Sequence, residues 1–217
     1  MLIRNCVLAA TLVWTTAVFA QSATQSAHAD IVNAHGQKVG IATIHRADGG
    51  IRIDIQVSQL PLGTHGIHVH TAGKCEGPAF TSAGAHLNPT SKKHGKDNPE
   101  GPHAGDLLYI QVQASGDVKA SLLDWNITFD DGPNSLFHEG GTAIVIHEKA
   151  DDYKTDPAGN SGARIACGVI ERSFAISLSI DPRRTATHSL ALVAADHSRH
   201  SFTVSTAQQP LLLHLPL

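Results

Sequence analysis

Ile51-Arg52-Ile53-Asp54-Ile55-Gln56-Val57-Ser58 sets apolar, β-branched residues strictly against polar ones. That period of two belongs to a strand with one face in a core and the other in water. Similar short runs recur at Ala29–Ala34, Lys38–His45, Gly66–His70, Leu107–Gln113, Val118–Leu123, Thr142–His147 and Ile165–Ile170, which makes eight strands. Asp48-Gly49-Gly50 and Ser115-Gly116-Asp117 stand between neighbouring runs as hairpin turns. No helical stripe of any length appears, so the expected fold is all-β, an antiparallel sandwich or barrel. Two connections, Thr71–Asp106 and Glu148–Arg164, break the rhythm. Loops that long inside a compact domain are usually functional or disordered, and the histidines and charges gathered in these two favour function.

The 217 residues suit one domain, or one with appendages. Hydrophobic residues at 41% and charged residues at 16% exclude a coiled coil or a charged disordered chain. Lys+Arg 16 against Asp+Glu 19 gives a net charge of -3, with no basic surplus for a nucleic-acid backbone, so no nucleic-acid partner is expected. At the N-terminus, Arg4 precedes an apolar run from Cys6 to Phe19 that closes on Val18-Phe19-Ala20. This reads as a secretory signal peptide over residues 1–20 cut after Ala20, hence an exported protein, periplasmic or extracellular. The apolar runs fall short of the roughly 20 residues of a spanning helix, so the mature chain should have no membrane span. Losing Arg4 makes the mature chain one unit more negative. Cys75 and Cys167 remain, and in an oxidising compartment they read most simply as one disulfide.

Histidine is the anomalous entry, at 15 residues. Gly66-Ile67-His68-Val69-His70 puts two imidazoles side by side on one strand face, with Ile67 and Val69 turned to the core. That geometry suits one metal, and His147, at the end of another strand, could complete the pair. The long loop supplies His86, His94, His103 and Asp106, four nitrogen and oxygen donors suited to a closed tetrahedral zinc site. His28, His35, His45, His65, His138 and the four histidines of the C-terminal segment lack such context and read as surface residues.

Seven motifs in order now carry a resemblance. They are Gly66-Ile67-His68-Val69-His70, Cys75-Glu76-Gly77-Pro78, Gly84-Ala85-His86-Leu87-Asn88-Pro89, Lys92-Lys93-His94-Gly95, Gly101-Pro102-His103-Ala104-Gly105-Asp106, Ile146-His147-Glu148-Lys149-Ala150-Asp151-Asp152, and the run from Gly159 to Ile170. Over roughly residues 29–171 the chain resembles a copper–zinc superoxide dismutase of the secreted or periplasmic kind. The resemblance implies an eight-stranded antiparallel Greek-key β-barrel with two long functional loops. It implies copper held by His68, His70, His86 and His147, zinc held by His86, His94, His103 and Asp106, and superoxide as the substrate. His86 would bridge both metals. Asp151 would hydrogen-bond the outer ring nitrogens of His68 and His94. Arg164 would dock the anion beside copper, and a Cys75–Cys167 disulfide would tie the long loop to the last strand. His86 and Arg164 are thus the expected catalytic residues, and a homodimer is among the arrangements allowed.

The expected organisation is a signal peptide at 1–20, a dismutase domain at 21–171 and an extension at 172–217 without a motif. The extension alternates at Phe174, Ile176, Leu178 and Ile180 and could lengthen the last strand; an appendage, a frame-shifted reading and a partner-binding segment are all open. Lys154 is a weaker candidate for a positive funnel near copper, and Asn126-Ile127-Thr128 fits an N-glycosylation sequon. Two rival functions are a non-catalytic copper- and zinc-binding module and a zinc-stapled structural sandwich. Neither requires a full copper set together with Arg164.

Overall fold

The computed structural model describes residues 25–173; the expected signal peptide at 1–20 and the alternation from Phe174 lie outside the described residues. Ten strands run in chain order: β1 (Ser26–Asn33), β2 (Lys38–Ala47), β3 (Gly50–Val57), β4 (Gly63–His65), β5 (Ile67–His70), β6 (Ile110–Val112), β7 (Val118–Asp124), β8 (Ala143–His147), β9 (Arg164–Val169) and β10 (Glu171–Ser173). One 3-10 turn, Thr81–Ala83, is the only helical element among the described residues. The antiparallel sheet has the order β5-β8-β9-β1-β2-β3-β7, with β10 added to β1, and β4 pairs separately with β6. The chain passes from β4 to β5 through Gly66 alone. The β4–β6 pair therefore continues the curl, and the fold is the expected all-β Greek key.

The strand that announced the fold behaves as read: Ile51, Ile53, Ile55 and Val57 are buried, and Arg52 and Gln56 are exposed. Its register sets Ile53 opposite Ile44 on β2 and Leu122 on β7. Eight runs became ten strands for local reasons. β4 (Gly63–His65) lies ahead of the expected Gly66–His70 run and was not foreseen; at Gly66 the N–H donates to Lys149 O and the carbonyl accepts from His147 N–H, which switches the pairing from β6 to β8. The Leu107–Gln113 run shortens to Ile110–Val112, since Leu108 and Tyr109 are both exposed and Tyr109 N–H donates to the Tyr153 hydroxyl instead of a ladder. Glu171–Ser173 pairs with Ser26–His28, so the expected domain end at residue 171 cuts a strand.

β5 and β8 are buried on both faces. Ile67, Val69, Ile144 and Ile146 point into the main core. On the outer side Phe80, Ala83, Ala143, Val145 and Cys167 form a second cluster, with Val32, Ala34 and Cys75 against it. The long loop supplies Phe80 and Ala83, so it is packed down on the barrel wall. The Cys75–Cys167 disulfide fastens the same point across a sequence separation of 92, a constraint of about 4–5 kcal/mol on the unfolded chain in the loop-entropy treatment.

Asp124, at the end of β7, is 4% exposed; one carboxylate oxygen accepts the Asn126 N–H, and the other is buried without a partner. Burial pushes its carboxyl up to about 7 against the opposing effect of the Asn126 and Ile127 backbone N–H groups. A raised native value favours the protonated form, so the contribution is complete below the usual carboxylate range and is lost as pH rises through about 7. Asp124→Asn should therefore gain stability relative to the parent, by up to about 4 kcal/mol, between pH 4 and 8. Denaturant unfolding at several pH values checks this.

Candidate metal centre

The open edge of β5 organises the site. Val69 N–H donates to Gly105 O, Leu87 N–H donates to Val69 O, and Thr71 N–H donates to Ala85 O, each at 2.8 to 2.9 Å. Two passes of the long loop thus lie along β5, and bridges form between His70 and His86 and between His68 and Asp106. Gly105 is required for this approach, because a Cβ there would strike the Val69 carbonyl. From β8, His147 arrives at a register shift and stands opposite Arg164, the first residue of β9.

Six histidines, His68, His70, His86, His94, His103 and His147, are buried together. Hydrogen bonds on the outside of each ring set its tautomer. His68 Nε2–H donates to Asp151 Oδ2 at 2.6 Å, His70 Nδ1–H to Gly84 O at 2.9 Å and His147 Nδ1–H to Gly162 O at 3.3 Å. The opposite nitrogens, His68 Nδ1, His70 Nε2 and His147 Nε2, together with His86 Nε2, are buried without any partner. Donor atoms of these four residues lie within 4.8 Å of one another. Four buried lone pairs aimed at one point are costly to leave unpaired and suit a single metal ion.

On its other side His86 meets a second donor set. Nδ1 of His86, His94 and His103 stand 2.9, 3.0 and 3.2 Å from Asp106 Oδ1, and His86 and His103 Nδ1 are 3.4 Å apart. Bonds of about 2.0 Å to a tetrahedral zinc place its ligands about 3.3 Å from one another, so these spacings fit. His68 also has a donor atom within 4.8 Å of His86, His94 and Asp106, but its Nε2 is committed to Asp151, which leaves its free nitrogen to the first set. Asp106 Oδ2 accepts N–H groups of Gly95 and His103, and Asp151 Oδ1 accepts His94 Nε2–H at 2.9 Å.

The electrostatics follow from burial and these partners. Burial holds His70 down to about 2, helped by His86 and by the Arg164 charge. Burial and His68 hold His147 down to about 3, and burial opposed by Asp106 brings His86 to about 4. These rings are neutral near pH 7, the form that coordinates metals. His94 is also penalised by burial, yet hydrogen bonds to Asp106 and Asp151 outweigh this and raise it to about 9. Burial works against the charge of Asp106, but hydrogen bonds from His103, His86 and His94 keep its carboxyl well below the usual range.

Arg164 is partly buried, with Nη1 donating to Phe80 O and Nη2 to Gly84 O, both at 2.7 Å. Gly84 O is the carbonyl that also fixes His70. Every residue named from the sequence for metal, proton or anion therefore meets in one place, except Lys154. Lys154 is exposed in a turn that Asp152 ties through N–H groups of Lys154 and Thr155.

One histidine was misread. His65 is not a surface residue: it is 2% exposed, and its two ring nitrogens face His147 O and Pro61 O at 2.8 Å. It pins the backbone of His147, and its place one residue before Gly66-Ile67-His68 was the only hint. Gly159, which opens the last of the seven motifs, has a steric role that the motif alone does not show. At φ +61, it lets the second loop close over Asp151 and His94.

A family model described as copper/zinc superoxide dismutase (SODC) matches residues 38–170. The chain belongs to the copper/zinc superoxide dismutase family. Superoxide dismutase (Cu-Zn) 1 of Aquifex aeolicus is 51% identical over 146 residues, 66% of this chain and 86% of that protein. Among solved structures, a superoxide dismutase-like protein from Bacillus subtilis aligns at TM-score 0.64 and 41% identity, over 65% of this chain and 96% of that one. The Cu/Zn superoxide dismutase from Brucella abortus aligns at 0.56 and 29% identity, over 67% and 99%. In this dismutase-family chain a methyl group on Gly159 would collide with the Asp151 carboxylate and His94 Nε2. Gly159→Ala should cost about 2–4 kcal/mol, read by denaturant unfolding, because it breaks a buried hydrogen-bonded pair and strains the backbone.

Proposed function

We propose that this protein is a superoxide dismutase that turns two superoxide anions and two protons into O2 and H2O2. The four buried, unpartnered ring nitrogens beside a second tetrahedral donor set carry this reading. Copper would be held by His68 Nδ1, His70 Nε2, His86 Nε2 and His147 Nε2, and zinc by Nδ1 of His86, His94 and His103 with Asp106 Oδ1. Bound copper supplies a reversible one-electron change, and bound zinc supplies a fixed positive charge without redox chemistry. The chain's own residues do the rest. His86 would lend Nδ1 to the zinc set and Nε2 to the copper set, and its Nε2, buried without another partner, is the atom placed to hold a proton and pass it to the reduced product. Asp151 holds His68 and His94 through their outer N–H groups, which keeps their lone pairs aimed inward. Arg164 keeps N–H groups beyond those given to Phe80 and Gly84, and it attracts and orients the anion beside His70 and His147.

The functional unit is residues 21–171 extended through Ser173 to keep β10. Residues 1–20 act as the export signal, and the Cys75–Cys167 disulfide supports an oxidising location. Among the described residues no helix is long and apolar enough to cross a membrane.

His147→Ala is expected to abolish copper-dependent turnover while zinc stays bound, as metal analysis and superoxide consumption will report. Full activity in that variant would overturn the copper assignment. Arg164→Ala should keep both metals but lower the bimolecular rate about tenfold and flatten its dependence on ionic strength. The measurement is that rate across a salt series; copper loss in step with the rate would make the arginine structural instead.

A further inference from the structure

Within the long loop, separate residues hold the disulfide and the arginine. Cys75 is bonded to Cys167. Phe80, further along, gives its carbonyl to Arg164 Nη1 at 2.7 Å and also accepts the Ala83 N–H at 3.2 Å. Its backbone is left-handed, φ 52 and ψ 28, a conformation uncommon for a residue with a bulky side chain. Such an outlier persists only where its surroundings over-determine it. Here the ring does so: it is 1% exposed, wedged in the outer cluster with Ala143 and Val145 of β8 and Cys167 of β9. The turn that follows delivers Gly84, whose carbonyl takes Arg164 Nη2 and His70 Nδ1.

We infer that Phe80 is a positioning residue for the docked anion: its buried ring fixes the turn whose two carbonyls hold the Arg164 guanidinium beside the copper-binding histidines. A guanidinium has five N–H donors. With two fastened to carbonyls, the others keep a fixed direction toward a small monoanion. A loop free to shift at residue 80 would leave the charge in place and lose its aim. The inference rests on the docking role proposed for Arg164.

The test uses the full chain loaded with copper and zinc and azide as the monoanion, titrated by its copper absorption at constant ionic strength. Phe80→Ala, Phe80→Val, Phe80→Leu, Arg164→Ala and the Phe80→Ala/Arg164→Ala pair are compared, with metal content and free thiol measured in each. Phe80→Ala should weaken azide about three- to tenfold with metals and disulfide intact, and Phe80→Leu, which refills the pocket, should stay within about twofold of the parent. The double variant should bind no more weakly than Arg164→Ala alone, since both remove one function. If Phe80→Ala does not fold, Phe80→Val carries the test with a smaller loss in the same direction. Parental azide affinity in the truncated variants, or losses that add in full, would overturn the role of Phe80 and leave docking by Arg164 standing. Unchanged azide affinity in Arg164→Ala would overturn the docking reading and this inference with it.

Discussion

Val69 donates its N–H to Gly105 and accepts from Leu87, and through those two backbone hydrogen bonds the edge of β5 is closed by loop instead of by another strand. An open edge would expose unpaired backbone groups. Closing it with these segments brings His86 and Asp106 against His68 and His70, so one ladder satisfies the sheet and assembles both donor sets. The barrel sets where β5 lies, and the loop is placed by β5. The disulfide and Phe80 then fasten the loop's near end to β8 and β9.

Two carboxylates complete the arrangement. Asp106 gathers three imidazoles about one oxygen, and Asp151 bridges His68 and His94 from the outside. Burying a carboxylate is costly unless it is hydrogen-bonded by several donors, and each of these is. The second loop brings Asp151 over the first, and Gly66 and Gly159 leave the space that this closure needs.

The strands were legible wherever one face meets water, as in Ile51–Val57, because burial then writes itself as alternation. β5 and β8 have no solvent face, yet β5 was readable because histidine replaces water on its outer side. What stayed hidden depended on distant backbone. His65 is buried because two carbonyls, nearby Pro61 and distant His147, stand at its nitrogens, and its place beside Gly66-Ile67-His68 only hints at that. The boundary between the unforeseen β4 and β5 falls at Gly66 because that residue pairs to Lys149 and His147. Phe80 carries no motif of its own in the sequence; only the fold turns its carbonyl to Arg164. The donor residues were readable because their spacing and type are unusual, whereas the groups that aim them are mostly carbonyls, which every residue has.

The two-sided burial of β5 and β8 limits how this protein can change. Along β3 a polar position can vary without touching the core, since its side chain answers only to solvent. Along β5 and β8 neighbouring residues answer to different masters: Ile67, Val69, Ile144 and Ile146 to the barrel interior, and His68, His70, Val145 and His147 to the loop side. A backbone adjustment that accommodates a new residue on one side is transmitted to the other through the shared strand. Thermal robustness and the affinity for metal are therefore coupled along this wall, while on β3 the solvent-facing positions are uncoupled from both.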